Sequence, residues 1–214
     1  MQPSPAWSVV VPVKRLDTAK TRLGEDHRPA RSELALAFAT DCLTALVAAS
    51  RVARVVVVSS DPALRPVADA LGVTWLEEAG VDGLNSAAAS ALSTLDGPVA
   101  VVVGDLPSLT SSAADLALRL AEGAPKAFIS DAAGTGTTML MARDSRDCVP
   151  AFGPRSRARH REAGFVDLGL DLVLDRDQAM DLARARRDVD TEVDLADALR
   201  LGVGPATARA LQLL

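Results

Sequence analysis

A chain of 214 residues, 49% of them hydrophobic and 24% charged, carries enough apolar side chain for a globular fold with a sizeable core. Its net charge of −5 offers no general basic field for nucleic acid, and no apolar run is long enough to span a bilayer. The segment Met1-Gln-Pro-Ser-Pro-Ala-Trp7 lacks the basic and apolar regions of a secretion signal, so Cys42 and Cys148 are expected to be free thiols of a cytoplasmic protein.

Trp7 to Val13 reads as a first strand, with Pro12 near its end. Ser32 is expected to cap a helix from Glu33 to about Ala49 that turns Leu34, Phe38, Cys42 and Val47 toward the core. Val55 to Ser59 is β-branched and unbroken, as in a strand buried on both faces. Asp61-Pro62 opens a second helix that Gly72 ends. A short strand over Val73–Leu76, a helix over Asn85–Leu95 and a strand running from Val99 to Asp105 follow. Then come a helix over Ser111–Ala121 and a strand over Lys126–Ser130. This alternation predicts a single α/β domain over residues 1–214, a three-layer α/β/α sandwich around a mostly parallel sheet. The second half is less regular. Thr137–Ala142 reads as a strand returning antiparallel, Ser156–Ala163 as a short basic helix and Phe165–Leu168 as a strand. Leu170 to Arg187 follows neither period clearly, and two helices, Val193–Leu201 and Pro205–Leu214, complete the chain.

Five segments carry chemistry. The run Val99-Ala-Val-Val-Val-Gly-Asp-Leu-Pro107 stops abruptly at its polar end. In open α/β sheets ligands gather outside the carboxyl ends of strands, so Asp105 either holds a magnesium ion shared with substrate phosphates or caps the next turn. Lys14-Arg-Leu-Asp-Thr-Ala-Lys-Thr-Arg-Leu-Gly24 follows the first strand directly, and its Lys14, Arg15, Lys20 and Arg22 suit a triphosphate or form a solvated loop. Gly134-Thr-Gly-Thr-Thr138 combines close backbone approach with hydroxyl and amide donors, or is a tight turn. Phe152-Gly-Pro-Arg-Ser-Arg-Ala-Arg-His160 places a glycine turn before a helix start, where free amides attract anions; its arginines also suit a solvated face. In Asp188-Val-Asp190, carboxylates at alternate positions of an extended segment face the same way, toward a cation shared with Asp105. Alternatively Asp190 or Thr191 caps the helix that follows. Taken together these segments imply a magnesium-dependent phosphoryl or nucleotidyl transfer site. No Walker A pattern is present.

Val11-Pro-Val-Lys-Arg-Leu16, Ala19-Lys-Thr-Arg-Leu23, Gly83-Leu-Asn85, Gly104-Asp-Leu-Pro107, Gly134-Thr-Gly-Thr137, Phe152-Gly-Pro154 with Ser156 and His160, and Asp188-Val-Asp-Thr191 occur in that order. As a set they resemble the guanylyltransferases of coenzyme F420 biosynthesis that act on phosphoenolpyruvate or 2-phospho-L-lactate. Gly202-Val-Gly-Pro-Ala-Thr-Ala-Arg209 is similar to the carboxyl end of the actinobacterial, phosphoenolpyruvate-using members. The resemblance implies a nucleotide-diphospho-sugar transferase-like fold and transfer of GMP from GTP to phosphoenolpyruvate, with Mg²⁺ as cofactor. It further implies that Thr137, Gly153 and Ser156 hold phosphoenolpyruvate and that Asp105, Asp188 and Asp190 hold the metal. Lys14, Lys20, Arg22, Gly83 and Asn85 would face GTP, and Asp105, Lys20 and Arg22 would serve catalysis. The implied partners are these small molecules, with no nucleic acid and no membrane; a homo-oligomer is left open. Molybdopterin and sugar-1-phosphate nucleotidyltransferases usually carry a glycine-rich loop where this chain has Val13-Lys-Arg-Leu-Asp17. A non-catalytic nucleotide-binding module would have no need of three carboxylates converging on a metal.

Overall fold

Runs of valine build the centre of the sheet. The computed structural model describes residues 6–16, 31–78, 83–169 and 172–213. Its strands are β1 (Trp7–Pro12), β2 (Val52–Ser59), β3 (Thr74–Glu77), β4 (Val99–Val102), β5 (Lys126–Ser130), β6 (Thr137–Ala142) and β7 (Val166–Asp167). They lie in the order β3-β2-β1-β4-β6-β5-β7. Only β6 runs against its neighbours, β4 and β5; the other pairings are parallel. The chain first winds outward from β1 through β2 to β3, then returns to place β4 on the other side of β1. That reversal opens a crevice at the carboxyl ends of β1 and β4.

The central strands are buried on both faces, so alternate residues enter different cores. Val9, Val11, Val55, Val57, Ala100 and Val102 join one cluster with α1 (Arg31–Val47), α4 (Ser111–Ala121) and α6 (Arg176–Arg186). Val10, Val56, Val58, Val99 and Val101 join the other with α3 (Leu84–Leu92), Phe152 and Phe165. Helices thus cover both faces of a mostly parallel sheet, as the alternating pattern predicts. Among the described residues, no helix is long and apolar enough to cross a membrane.

Several boundaries differ from expectation for local reasons. Ser32 lies inside α1 rather than capping it, and Val47 is 42% exposed while Leu46 is buried. Asp61 does cap the chain's next turn, accepting from the Ala63 N–H at 3.0 Å, and left-handed Gly72 ends α2 (Arg65–Leu71). Strand β4 stops at Val102, three residues before Asp105. The stretch left unassigned by periodicity contains α6, opened by a capping box in which the Asp175 side chain accepts from Gln178 N–H at 2.9 Å. Both cysteines are free and buried, and burial raises both thiol pKa values, which removes them from nucleophilic chemistry near neutrality.

The last two helices, α7 (Glu192–Leu201) and α8 (Pro205–Gln212), join α1 in one apolar cluster, in which Leu34 and Phe38 meet Leu195 and Ala198 of α7 and Ala210 and Leu211 of α8. Asp41 of α1 reaches the first turn of α8, its two oxygens accepting from Ala206 N–H at 2.9 Å and Thr207 N–H at 2.8 Å. Gly204 is required beside it, because a Cβ there would overlap the Asp41 side chain. Asp41→Ala is expected to lower stability by about 2–4 kcal/mol in urea unfolding, the scale of two buried hydrogen bonds to a carboxylate. Gly204→Ala should destabilise through the overlap.

Candidate active site

Beside the β1/β4 crevice lies an open cleft of about 690 Å³, a volume suited to a small-molecule substrate. Four groups of residues form its walls.

The first follows β1. Leu16 is buried, and its N–H donates to Asp61 Oδ2 at 2.8 Å, which ties the strand's exit to the turn after β2. Lys14, exposed, is thereby held at the rim and lines the cleft. Lys20 and Arg22 lie outside the described residues.

The second wall leaves β4. Val103 N–H still donates to Thr138 O at 3.0 Å, and then Gly104 turns the chain toward β1. A Cβ at Gly104 would stand 2.8 Å from Val13 Cγ2, so only glycine lets the two strand exits approach this closely. Asp105 follows, half-buried and lining the cleft.

The third wall is Asp188-Val-Asp190. The Val189 N–H donates to the Asp105 carbonyl at 3.1 Å, and the Val189 side chain is fully buried against Leu34, Phe38 and Leu195. With Val189 anchored inward, Asp188 and Asp190 both line the cleft, as an extended i, i+2 pair should. Thr191, rather than Asp190, caps α7: its Oγ1 accepts from Asp194 N–H at 3.3 Å. Among the described residues, no three His, Cys, Asp or Glu side chains group closely enough to form a self-sufficient metal cage. The donor chemistry nonetheless fits Mg²⁺, which prefers hard oxygens and takes one or two carboxylates together with water and substrate phosphates.

The fourth wall joins β6 to the turn before α5 (Ser156–Glu162). Because β6 is antiparallel, its first residue, Thr137, stands at the same sheet edge as the ends of β4 and β5. The loop before it is folded around Asp131, whose two oxygens accept from Thr135 N–H at 2.8 Å and Gly136 N–H at 2.7 Å. A Cβ on Gly136 would overlap that carboxylate. Arg186 braces the loop from behind, donating to Ser130 O at 3.1 Å, Asp131 O at 2.9 Å and Gly169 O at 2.8 Å. Gly153 and Ser156 line the same cleft, with Gly153 at φ 113°. The expected free amides at the helix start are partly committed: Ser156 N–H donates to Gly153 O at 3.0 Å and Arg157 N–H to Thr135 O at 3.2 Å. What this turn offers instead is the Ser156 hydroxyl and Arg155, the one described non-glycine residue at positive φ, 59°. Arg157 does not face the cleft; it pairs with Asp167 at 2.8 Å and donates to Gly134 O at 2.9 Å.

Of the turn expected at the nucleotide, Leu84 lines the cleft and Gly83 precedes α3 at φ 82°. Asn85 is engaged elsewhere. Its Nδ2 donates to Phe152 O at 3.0 Å and its Oδ1 accepts from Phe152 N–H at 2.7 Å, a reciprocal pair that fixes the loop leading to Gly153. Asp131 and Arg186 escaped the sequence reading, and Arg155 entered it only among the arginines suited to a solvated face. The only available signal was the position of Asp131 at the end of a predicted strand and of Arg155 inside the Phe152-Gly-Pro turn. His160, at the end of that motif, is fully buried. Desolvation, with the nearby charge of Arg159, lowers its pKa to about 4, so the ring is neutral through the physiological range.

Residues 7–211 match the family model described as guanylyl transferase CofC like. The chain is 44% identical to the phosphoenolpyruvate guanylyltransferase of Streptomyces scabiei over 95% of both chains. It is 43% identical to that of Streptomyces avermitilis, over 95% of this chain and 93% of the relative. Among solved structures, a nucleotidyl transferase from Methanothermobacter superposes with a TM-score of 0.58 at 15% identity, over 98% of this chain and 99% of that one, a likeness of fold. The order of the motifs, the cleft they build and a match from β1 to α8 agree: this chain belongs to the guanylyl transferase CofC like family of nucleotidyltransferases.

Proposed function

We propose that the protein transfers GMP from GTP to phosphoenolpyruvate, giving enolpyruvoyl-2-diphospho-5′-guanosine and pyrophosphate for coenzyme F420 biosynthesis. The observation that carries this reading is the meeting of two chemically distinct walls on one cleft. Asp105, Asp188 and Asp190 line it together with Thr137, Gly153 and Ser156. The two named Streptomyces relatives, called phosphoenolpyruvate guanylyltransferases, supply the substrates. With free, buried thiols, a cytoplasmic setting is the corresponding expectation.

In the proposed reaction a phosphate oxygen of the acceptor forms a bond to the α-phosphorus of GTP, and the bond from that phosphorus to the bridging oxygen of the leaving pyrophosphate breaks. The acceptor phosphate is already anionic near neutrality and needs no general base. None is offered by the one described histidine, because both ring nitrogens of His160 are hydrogen-bonded within the protein. The main obstacle is repulsion between two polyanions. Mg²⁺ held by Asp105, Asp188 and Asp190 would supply charge neutralisation and in-line alignment of the phosphates. Thr137, Gly153 and Ser156 would hold the acceptor against the opposite wall. Lys14, with Lys20 and Arg22 from the same segment, would bind the triphosphate and steady charge on the departing pyrophosphate. Gly83 and Leu84 would border the nucleotide, while Asn85 serves the acceptor side through Phe152. Phosphoenolpyruvate and 2-phospho-L-lactate share a carboxylate and a phosphate and differ in hybridisation at the ester carbon. Their discrimination rests on shape, worth about 1–3 kcal/mol.

Pyrophosphate release from GTP and Mg²⁺ is expected with phosphoenolpyruvate and not without an acceptor. Release with 2-phospho-L-lactate alone would keep the chemistry and change the acceptor. Silence with both, from folded protein that binds GTP, would overturn the reading. Asp105→Asn should keep the fold and lose at least about 100-fold in kcat, on the scale seen when charge stabilisation of a transition state is removed; near wild-type turnover with Mg²⁺ would exclude its metal role. Asn85→Ala should raise KM for the acceptor about 3- to 10-fold, the worth of neutral hydrogen bonds, and leave KM for GTP unchanged. A selective rise in the GTP value would return Asn85 to the nucleotide.

A further inference from the structure

His160 is enclosed by three phenylalanines, Phe128, Phe152 and Phe165, with ring centroids at 5.8, 5.4 and 5.7 Å. Its surroundings leave only one arrangement of its proton. The Ala151 backbone N–H donates to Nε2 at 3.0 Å. A backbone amide can only donate, so Nε2 is the unprotonated nitrogen and the neutral ring carries its hydrogen on Nδ1. Nδ1 lies 2.9 Å from Thr137 Oγ1 and therefore donates to it.

This has a consequence for Thr137. A hydroxyl that accepts one hydrogen bond still has its own proton to place. Among the described residues Thr137 Oγ1 makes no protein hydrogen bond other than that with His160, and His160 Nδ1 is already a donor. Thr137 lines the cleft. Its proton is thus directed at whatever occupies the acceptor wall, and a partner there must supply lone pairs.

We infer that His160 is a positioning residue for the acceptor anion: through its fixed tautomer it makes the Thr137 hydroxyl an obligate donor to a carboxylate or phosphate oxygen, while its other nitrogen holds the Ala151–Gly153 loop that forms the facing wall. The inference rests on the proposed reaction, and it assigns His160 a role without contact to substrate. One side chain coordinates both sides of the acceptor site. The Thr137 contact sets polarity and the Ala151 contact sets position, and Arg159 reinforces the latter by donating to Ala151 O at 2.8 Å. Burial and the neighbouring Arg159 charge keep the ring neutral, which preserves the single Nδ1 proton the arrangement needs.

Two substitutions separate the contacts, since an asparagine amide overlays the Nδ1 end of the ring and a glutamine amide the Nε2 end. His160→Asn retains a donor to Thr137 and loses the acceptor for Ala151. His160→Gln does the reverse. With GTP saturating, His160→Gln is expected to raise KM for phosphoenolpyruvate about 10- to 100-fold, the scale of a misdirected hydrogen bond to a charged group, and His160→Asn, which only releases the Ala151–Gly153 loop, about 3- to 10-fold. KM for GTP should not move in either. Thr137→Val should match His160→Gln, and the double variant should be no worse than Thr137→Val alone. Equal acceptor KM values for the Asn and Gln variants, or additive losses in the double variant, would overturn the proposal. If neither variant folds, the wild-type protein decides: nitrogen-15 imidazole spectra should show His160 with a protonated Nδ1 and a bare Nε2 from pH 6 to 8, and the opposite tautomer would refute it. Wild-type protein that releases no pyrophosphate with either acceptor, yet shows this tautomer, would remove the proposed reaction, and with it the role in acceptor binding.

Discussion

Strand β6 runs against β4 and β5, and that one reversal decides what can face Asp105. Were β6 parallel, its carboxyl end, Ala142, would stand at the cleft edge and Thr137 would lie at the opposite edge of the sheet. Instead the strand begins at the cleft. The loop that precedes it, folded around Asp131, is delivered to the place where the parallel strands end. The ladder bond from Val103 N–H to Thr138 O then fixes the register between the Asp105 and Thr137 walls of the cleft. The remaining pieces are hung on this frame by backbone contacts: Val189 on the Asp105 carbonyl, and Gly204 N–H on Pro107 O at 2.9 Å. Side chains that line the cleft are thus positioned by neighbours that do not.

The architecture was legible because its signals are strong and local. Unbroken valine runs mark strands buried on both faces, Asp61-Pro62 and Gly72 bracket a helix, and Lys126–Ser130 and Thr137–Ala142 match their predicted bounds. Misplaced boundaries have short-range causes. The apolar run Val99–Val103 does not reveal that Gly104 must break from the ladder to pass Val13. Charged residues 172–187 hide a helix whose apolar face is narrow, with Leu182 and Ala185 its buried residues.

The site divides differently. Residues that face the cleft were readable from residue type and placement: Asp105, Asp188, Asp190, Thr137, Gly153, Ser156 and Lys14 line one wall or another. Residues that hold them were not. Asn85 and Phe152 are 67 positions apart, Arg186 and Ser130 are 56 apart, and nothing in local spacing links such pairs. His160 could be quoted as part of a motif, yet the identity of its protonated nitrogen follows only from the Ala151 amide beside it.

Arg155 sits in left-handed backbone that glycine or asparagine would adopt at lower cost, a penalty of about 1–2 kcal/mol for an ordinary side chain. The turn therefore keeps a residue that local stability disfavours, and that residue lines the cleft. Directed evolution toward heat resistance alone would drift to glycine at this position. The melting temperature would rise as the cleft wall lost a positive charge, so thermostability and the charge of the cleft would be selected in opposite directions at a single site.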